Sequence, residues 1–147
     1  MHTHQKDNSF KEEIIKFSNE NPENEVCGLV CYKNEKIYFE KVKNQSNDPD
    51  MFLIHPMDFL NKKINKELLA VFHSHVNAKE EPSEYDIKNA KNCLCPFLIY
   101  STVSEKFSLF DMPNFERDEK GVIKLKEAIN DWGYNTRRNG KNFWGDS

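Results

Sequence analysis

Two histidines and an aspartate lie within one short stretch of the chain, AVFHSHVNAKEEPSEYD, which spans residues 70–86. His73 and His75 follow LLAVF, a short apolar run that favours a buried β-strand. Because side chains alternate across a strand, the two imidazoles point to the same side of it and Ser74 points to the other. Two imidazoles on one side of a strand can bind the same metal ion.

We expect the third ligand to come from the segment after the loop. Ser83 is a favourable N-cap for a helix over SEYDIKNAKNC, which places Asp86 in the first turn. The loop then brings this turn back over the end of the strand. Two histidines and one carboxylate leave the fourth tetrahedral position of zinc to water, which is typical of catalytic rather than structural zinc. The sequence therefore predicts one zinc ion per chain, bound by His73, His75 and Asp86.

The N-terminus offers an internal comparison for the histidine spacing. MHTH also has two histidines one residue apart, His2 and His4, but its flanks are polar and no strand is predicted there. We therefore expect that pair to lie in a disordered terminus. The H-x-H spacing is informative at His73 and His75 only because an apolar strand precedes it and S-x-x-D follows it.

A hydrolytic zinc site also needs a base that accepts a proton from water, and a carboxylate is the usual group. Glu25 stands directly before the buried run VCGLV, so it is the candidate. The alternative is that Glu25 is an exposed residue in the linker between a helix and a strand. Composition alone does not decide between the two, because the chain has 24 acidic residues.

The composition limits the classes of partner. Hydrophobic residues make up 37% of the chain and charged residues 31%, and the formal net charge is −3. No basic excess is present to neutralise a phosphate backbone, so we expect no nucleic-acid partner. No apolar run reaches the roughly 18 residues of a membrane span, and the N-terminus lacks the apolar core of a signal peptide. We therefore expect no membrane partner, a cytoplasmic location and four reduced cysteines.

Helices and strands alternate irregularly along the chain, which predicts an α/β fold layered around one sheet. Residues 1–112 form the predicted main domain, and 113–147 a polar C-terminal extension with one amphipathic helix and a loosely ordered end from residue 133. The predicted helices span 9–21, 56–65, 83–93 and 119–132. The predicted strands span 25–32, 36–42, 51–54, 68–72 with a continuation into the histidines, 97–103 and 106–110.

HSH, seven further residues and S-x-x-D resemble the JAMM motif of the MPN-type metallopeptidases at matching spacing. The upstream glutamate of that family resembles Glu25 in NPENEVCGLV. The resemblance covers roughly residues 8–110 and is greatest to the compact prokaryotic and phage branch, which includes the N-terminal domain of phage tail assembly protein K. One position departs, since Val76 stands where the family usually has proline. The resemblance implies the JAMM/MPN fold, a central mixed β-sheet flanked by helices and similar to the cytidine deaminase-like fold.

The resemblance further implies a zinc-dependent peptidase that hydrolyses a peptide or isopeptide bond. Zinc held by His73, His75 and Asp86 lowers the pKa of one water, and Glu25 accepts its proton. Ser83 donates a hydrogen bond to the tetrahedral oxyanion, besides capping the helix. The partner is then a protein or peptide substrate, such as a ubiquitin-like protein, a cell-wall component or a phage tail component. The implied location is the bacterial cytoplasm or a virion.

Two other interpretations compete with this one. A non-catalytic MPN-type scaffold, for example in a phage tail, needs none of the five site residues, whereas this chain has them all. A cytidine deaminase site needs H-x-E and then P-C-x-x-C, but the chain has H-x-H and CLCP. Cys93 and Cys95 are therefore expected to be buried thiols rather than ligands. A second chain that completes the substrate groove also stays open.

Overall fold

The computed structural model describes residues 9–48, 51–130, 137–138 and 141–142. Its five-stranded sheet consists of β1 (Cys27–Lys33), β2 (Lys36–Val42), β3 (Leu68–His75), β4 (Phe97–Ser101) and β5 (Lys106–Phe110). The spatial order is β2-β1-β3-β4-β5. Neighbouring strands are antiparallel except β3 and β4, which are parallel. The sheet is therefore mixed, as predicted, and β3 lies at its centre.

Four helices of the described chain flank the sheet. They are α1 (Ser9–Asn19), α2 (Pro56–Ile64), α3 (Glu84–Cys93) and α4 (Glu119–Asn130). Side chains of α1 and α4 belong to one buried cluster, and Ala90 of α3 belongs to a second. Successive residues of β1 alternate between the two clusters, so the clusters lie on opposite faces of the sheet. The predicted α/β fold class is confirmed.

α2 presents its apolar residues to solvent. The sequence pattern places Met57, Leu60 and Ile64 on one face, and these side chains are 70%, 42% and 68% exposed. Phe59 instead packs against the second cluster. The Nδ1 atom of His55 accepts a hydrogen bond from the Met57 amide at 3.1 Å and caps the helix. Periodicity thus located the apolar face of α2 but did not reveal that it is uncovered.

The prediction of a strand over residues 51–54 is wrong, because the segment has no strand. Phe52 and Ile54 are nevertheless buried. The Leu53 amide donates to the side-chain oxygen of Asn44 at 2.9 Å, so a side-chain amide replaces a partner strand. β4 is also shorter than predicted, since residues 102–105 form the turn into β5.

The predicted C-terminal helix is α4, which is described as far as Asn130. Its residues Val122 and Leu125 pack in the same cluster as α1. The helix therefore contacts the main domain, while the division after residue 112 stays a prediction. Among the described residues, no helix has the length and apolar character needed to cross a membrane.

Two predictions concern residues that the structure does not describe. One is the prediction that His2 and His4 lie in a disordered terminus, which falls outside the described residues. The other is the loosely ordered end, which falls largely outside the described residues. Within it, β6 (Arg137–Arg138) and β7 (Lys141–Asn142) form a short antiparallel pair.

The four cysteines are free thiols. Burial raises the pKa of Cys27 and of Cys31 to about 12. Cys95 is buried as predicted, whereas the prediction of a buried Cys93 is wrong, since Cys93 is half-buried at the end of α3. Buried thiols in apolar surroundings stay protonated and unreactive, which suits a structural role for Cys27, Cys31 and Cys95. Cys93 differs, because a hydrogen bond with Cys95 lowers the pKa of its thiol to about 7.

Candidate metal centre

β3 delivers the two histidines to one side of the sheet. The strand is hydrogen-bonded to β1 on one edge and to β4 on the other, and His73 lies opposite Ile99 of β4. His73 is fully buried and His75 is 5% exposed. Their ring centroids are 5.1 Å apart, as expected for residues that share one side of a strand.

α3 delivers the carboxylate through its N-terminal cap. Ser83 has an extended backbone, and its Oγ atom accepts a hydrogen bond from the Asp86 amide at 3.0 Å. The Ser83 amide in turn donates to Asp86 Oδ2 at 2.9 Å. This capping box is the predicted start of the helix, and it fixes the orientation of the Asp86 carboxylate.

The three side chains converge. His75 Nε2 lies 2.8 Å from Asp86 Oδ2, and His73 Nε2 lies 3.1 Å from Asp86 Oδ1. One ligand atom from each of the three residues lies within 4.8 Å of the others, so that a single ion can reach all three. All three residues are buried.

The surroundings of His73 indicate whether these residues suit a bound metal ion. Its ring stacks on Phe52 at a centroid distance of 4.2 Å and meets the edge of Phe97 at 5.4 Å. Neither ring nitrogen has a hydrogen-bond partner, although Nε2 is close to Asp86. Burial lowers the pKa of His73, so the imidazole is neutral and one nitrogen carries a lone pair. A neutral, buried imidazole that approaches a carboxylate without hydrogen-bond geometry fits a cation bound between them.

His75 is oriented by a backbone carbonyl. Its Nδ1 lies 2.6 Å from the Lys79 carbonyl oxygen, and since a carbonyl can only accept, Nδ1 carries a proton. Burial alone would lower the pKa of His75, but Asp86 and the Lys79 carbonyl outweigh it and raise the pKa. Nε2, which faces Asp86, is the atom that a metal ion would bind in competition with a proton. Metal-binding histidines usually donate their other ring N–H in this way.

The Asp86 carboxylate is ionised. Burial alone would raise its pKa, but the two histidines and the Ser83 amide hold the pKa of Asp86 well below its usual range. A buried carboxylate that stays charged beside two imidazoles is a suitable ligand for a divalent cation.

The loop between β3 and α3 begins with Val76, where the resembled motif has proline. Val76 is 7% exposed, so its side chain packs inward. Three serine hydroxyls of the β4–β5 hairpin, here called the serine clamp, donate hydrogen bonds to this loop. The bonds run from Ser101 to the Ala78 carbonyl (2.6 Å), from Ser104 to the Glu80 carboxylate (2.6 Å) and from Ser108 to the Glu80 carbonyl (2.5 Å).

Sequence reasoning missed the serine clamp. Its members lie 23–28 residues after their partners. Serines in a strand or turn carry no periodic signal, and β-propensity alone does not show which polar side chains point toward a loop. Only the parallel pairing of β3 with β4 brings the hairpin beside the loop.

Glu25 lies beside the end of β1 that pairs with β3 at His73. β1 and β3 are antiparallel, and just beyond their paired residues the Ser74 amide donates to the Val26 carbonyl at 2.9 Å while the Val26 amide donates to the Ser74 hydroxyl at 2.9 Å. Glu25 lies two residues before the first paired residue of β1, and it lines the same cleft as His75. Glu25 is only 7% exposed, which does not fit the alternative of an exposed linker residue. Its role as base stays a prediction.

A cleft of about 280 Å³ lies over these side chains. Four of the five predicted site residues line it, and His73 is the buried exception. The cleft is lined by Glu25, His75, Ser83 and Asp86 together with Met51, Val76, Asn77, Ala78 and Tyr85. A carboxylate, a hydroxyl and two of the three candidate metal ligands thus line one solvent-accessible space.

Residues 7–115 match the family described as prokaryotic homologs of the JAB domain. No curated protein matches the chain significantly. Among solved structures, the solution structure of protein DSY2949 from Desulfitobacterium hafniense is similar, with 23% sequence identity and a TM-score of 0.50. The match covers 65% of this chain and 72% of that protein. At this identity the likeness concerns the fold alone.

Proposed function

Because the chain belongs to the prokaryotic homologs of the JAB domain, we propose that it is a zinc-dependent metallopeptidase that hydrolyses a peptide or isopeptide bond. The proposal rests on one observation: His73, His75 and Asp86 lie close together at a cleft that Glu25 also lines. The three ligands would hold one zinc ion. Bound zinc supplies Lewis-acid chemistry, since it lowers the pKa of water and polarises a carbonyl group.

Glu25 acts as the general base in this proposal. Its carboxylate takes a proton from the attacking water and returns it to the leaving nitrogen, so that bond cleavage releases an amine. The shared cleft supports the assignment, because the side chains of Glu25 and His75 both line it.

Ser83 stabilises the oxyanion in the same proposal. Its Oγ atom accepts the Asp86 amide hydrogen through a lone pair. This bond leaves the hydroxyl proton available for donation into the cleft, which Ser83 lines. Capping and oxyanion binding therefore use different parts of one hydroxyl group.

The substrate is a protein or peptide. A ubiquitin-like protein, a cell-wall component and a phage tail component are the candidates, the last in line with the proposed similarity to the N-terminal domain of phage tail assembly protein K. We place the protein in the bacterial cytoplasm or in a virion. The net charge of −3 supports the absence of a nucleic-acid partner.

Metal content and hydrolysis test the proposal together. The full chain should bind one zinc ion, measured by mass spectrometry of the metal, and the His75→Ala variant should lose it. The exposed His55 is the matched control, so His55→Ala should keep the zinc. Unchanged zinc in His75→Ala would remove that residue from the ligand set.

The role of Glu25 is tested on the zinc-loaded protein. Glu25→Gln should keep the zinc and lose hydrolysis of fluorogenic peptide and isopeptide substrates that the wild type cleaves. Glu23→Gln, an exposed neighbour of the same charge, is the control and should keep full activity. Full turnover by Glu25→Gln would exclude Glu25 as the base.

A non-catalytic scaffold is the second candidate function. The exposed apolar face of α2 favours it, because contiguous apolar surface is typical of interaction modules. The same measurements separate the two candidates. A scaffold would show no stoichiometric zinc and no hydrolysis of any substrate in the panel.

A further inference from the structure

One amide side chain joins two segments that border the cleft. Asn44 Nδ2 donates to the Glu25 carbonyl at 2.9 Å and to the Met51 carbonyl at 3.0 Å. Its Oδ1 accepts from the Ser46 and Leu53 amides, each at 2.9 Å. Two donor hydrogens and two acceptor lone pairs are the full capacity of an asparagine amide, so every one is used.

The segments that Asn44 joins carry functional side chains. One contains Glu25, and the other contains Met51, which lines the cleft, and Phe52, which stacks on His73. Neither segment is in a strand, since β1 begins at Cys27 and residues 51–55 pair with no strand. The backbone of Glu25 therefore lies beyond the regular ladder, where Asn44 supplies a hydrogen bond to its carbonyl.

A local turn explains only part of this arrangement. The bond from the Ser46 amide to Oδ1 is the usual contact of an asparagine with the residue two positions on. The three other bonds reach 7, 9 and 19 residues along the chain. An asparagine that served only to form the turn would need none of them.

We propose that Asn44 is a positioning residue for the reaction: its amide holds the backbone of Glu25 and the Met51–Leu53 wall of the cleft in one fixed arrangement. The inference rests on the proposed function, since it assumes that Glu25 is the base. The four hydrogen bonds of Asn44 described above all go to backbone groups rather than to the candidate metal ligands. Its effect passes through the carbonyl of Glu25, whose side chain must lie within hydrogen-bond reach of the attacking water.

The Asn44→Asp variant isolates the two donor bonds. Aspartate keeps the size of the side chain and an oxygen for the Ser46 and Leu53 amides, but it places a second oxygen against the Glu25 and Met51 carbonyls. Asn47→Asp is the matched control, because Asn47 is exposed in the same loop and the charge change is identical. Both variants are made in the full chain and compared after zinc loading.

Two readouts are expected to change in Asn44→Asp alone. The turnover number kcat should fall about tenfold to hundredfold, a scale typical of small misplacements of a catalytic group, while the zinc stoichiometry stays at the wild-type value. Amide hydrogen exchange in residues 24–27 and 51–53 should be about tenfold faster, whereas exchange in β3 stays unchanged. Asn47→Asp should match the wild type in both.

The outcomes distinguish this inference from the proposed function. An active, zinc-loaded wild type together with full kcat in Asn44→Asp would overturn the role of Asn44 and leave the peptidase assignment intact. Equal exchange in Asn44→Asp and wild type would also overturn it, because the amide would then hold neither segment. If the wild type is inactive, the proposed function fails, and faster exchange in both segments would still support the structural link through Asn44.

Discussion

Replacing Ser83 by alanine and by glycine separates its capping role from its role in stabilising the oxyanion. The hydroxyl oxygen accepts the Asp86 amide hydrogen at 3.0 Å, and the hydroxyl group lies at the cleft. Both substitutions remove the hydroxyl, and both leave the backbone able to adopt its extended conformation with φ −78° and ψ 171°. They differ in how well they replace the cap.

The expected magnitudes follow from that difference. Loss of a serine N-cap to alanine costs about 1 kcal/mol of stability, whereas glycine costs only a few tenths, at roughly 0.3 kcal/mol. For a chain of 147 residues, about 1 kcal/mol corresponds to about 3 °C in Tm, and the glycine variant should lose about 1 °C. Loss of an oxyanion donor lowers kcat by about 10²- to 10³-fold, and by the same factor in both variants.

Thermal unfolding and steady-state kinetics on the zinc-loaded protein measure the two effects separately. Ser83→Thr restores a hydroxyl that both caps and donates, so it should recover most of the kcat. A role of Ser83 in oxyanion binding would be excluded if Ser83→Gly turned over substrate at nearly the wild-type rate, or if kcat followed Tm across the series. Ser83 would then be a helix cap and nothing more.

Three further predictions concern the metal, the loop and acid stability. Zinc at 100 times its Kd should stabilise the protein by about 2.7 kcal/mol, which raises Tm by about 8 °C in calorimetry, and a chelator should reverse the shift. Ser108→Ala leaves the buried Glu80 carbonyl without its hydroxyl donor. We expect the free energy of unfolding, measured with urea, to fall by about 1–3 kcal/mol. Because the same loop orients His75, zinc should also bind about tenfold more weakly in competition titrations. Burial alone would raise the pKa of Asp111, but Arg117 outweighs burial and lowers that pKa. The stability that this pair contributes is therefore present above the ordinary pKa of aspartate, and it is lost as pH falls through the pKa of Asp111 in the folded protein. The difference in unfolding free energy between wild type and Asp111→Asn should therefore shrink as pH falls below the ordinary pKa of aspartate, and a constant difference would contradict the pairing.

The candidate ligands were predictable because each depends on a local rule. Alternation along β3 puts His73 and His75 on one side, and the capping box places Asp86 in the first turn of α3. The structure confirms both local elements and brings the three residues together. The length of the loop between them then leaves little freedom for another arrangement.

The segment from 51 to 54 shows where local rules fail. Its apolar run predicts a strand, but the Leu53 amide bonds to the Asn44 side chain instead of a neighbouring strand. Phe52 reaches its buried position by stacking on His73. Hydrophobicity predicted the burial, whereas the hydrogen-bond partner came from a polar residue in a stretch with no regular pattern.

α2 and the serine clamp are two further features that local sequence patterns do not predict. The amphipathic pattern of α2 does not tell whether another element covers its apolar face, and in the described chain Ile64 remains 68% exposed. The serines of the clamp act on a loop more than 20 residues away, through the parallel pairing of β3 with β4. Contacts of this kind depend on topology, which periodicity does not encode.

Because β3 lies at the centre of the sheet, the two histidines and Asp86 differ in the free energy needed to move their backbone away from the site. Both edges of the strand are paired, so the backbone that carries His73 and His75 is released only when the sheet opens, at close to the full free energy of unfolding. Asp86 belongs to the first turn of a ten-residue helix beside a loop, and such a unit opens at lower free energy. Dissociation of a bound ion would therefore begin with the carboxylate, at a rate set by fraying of α3 rather than by global unfolding.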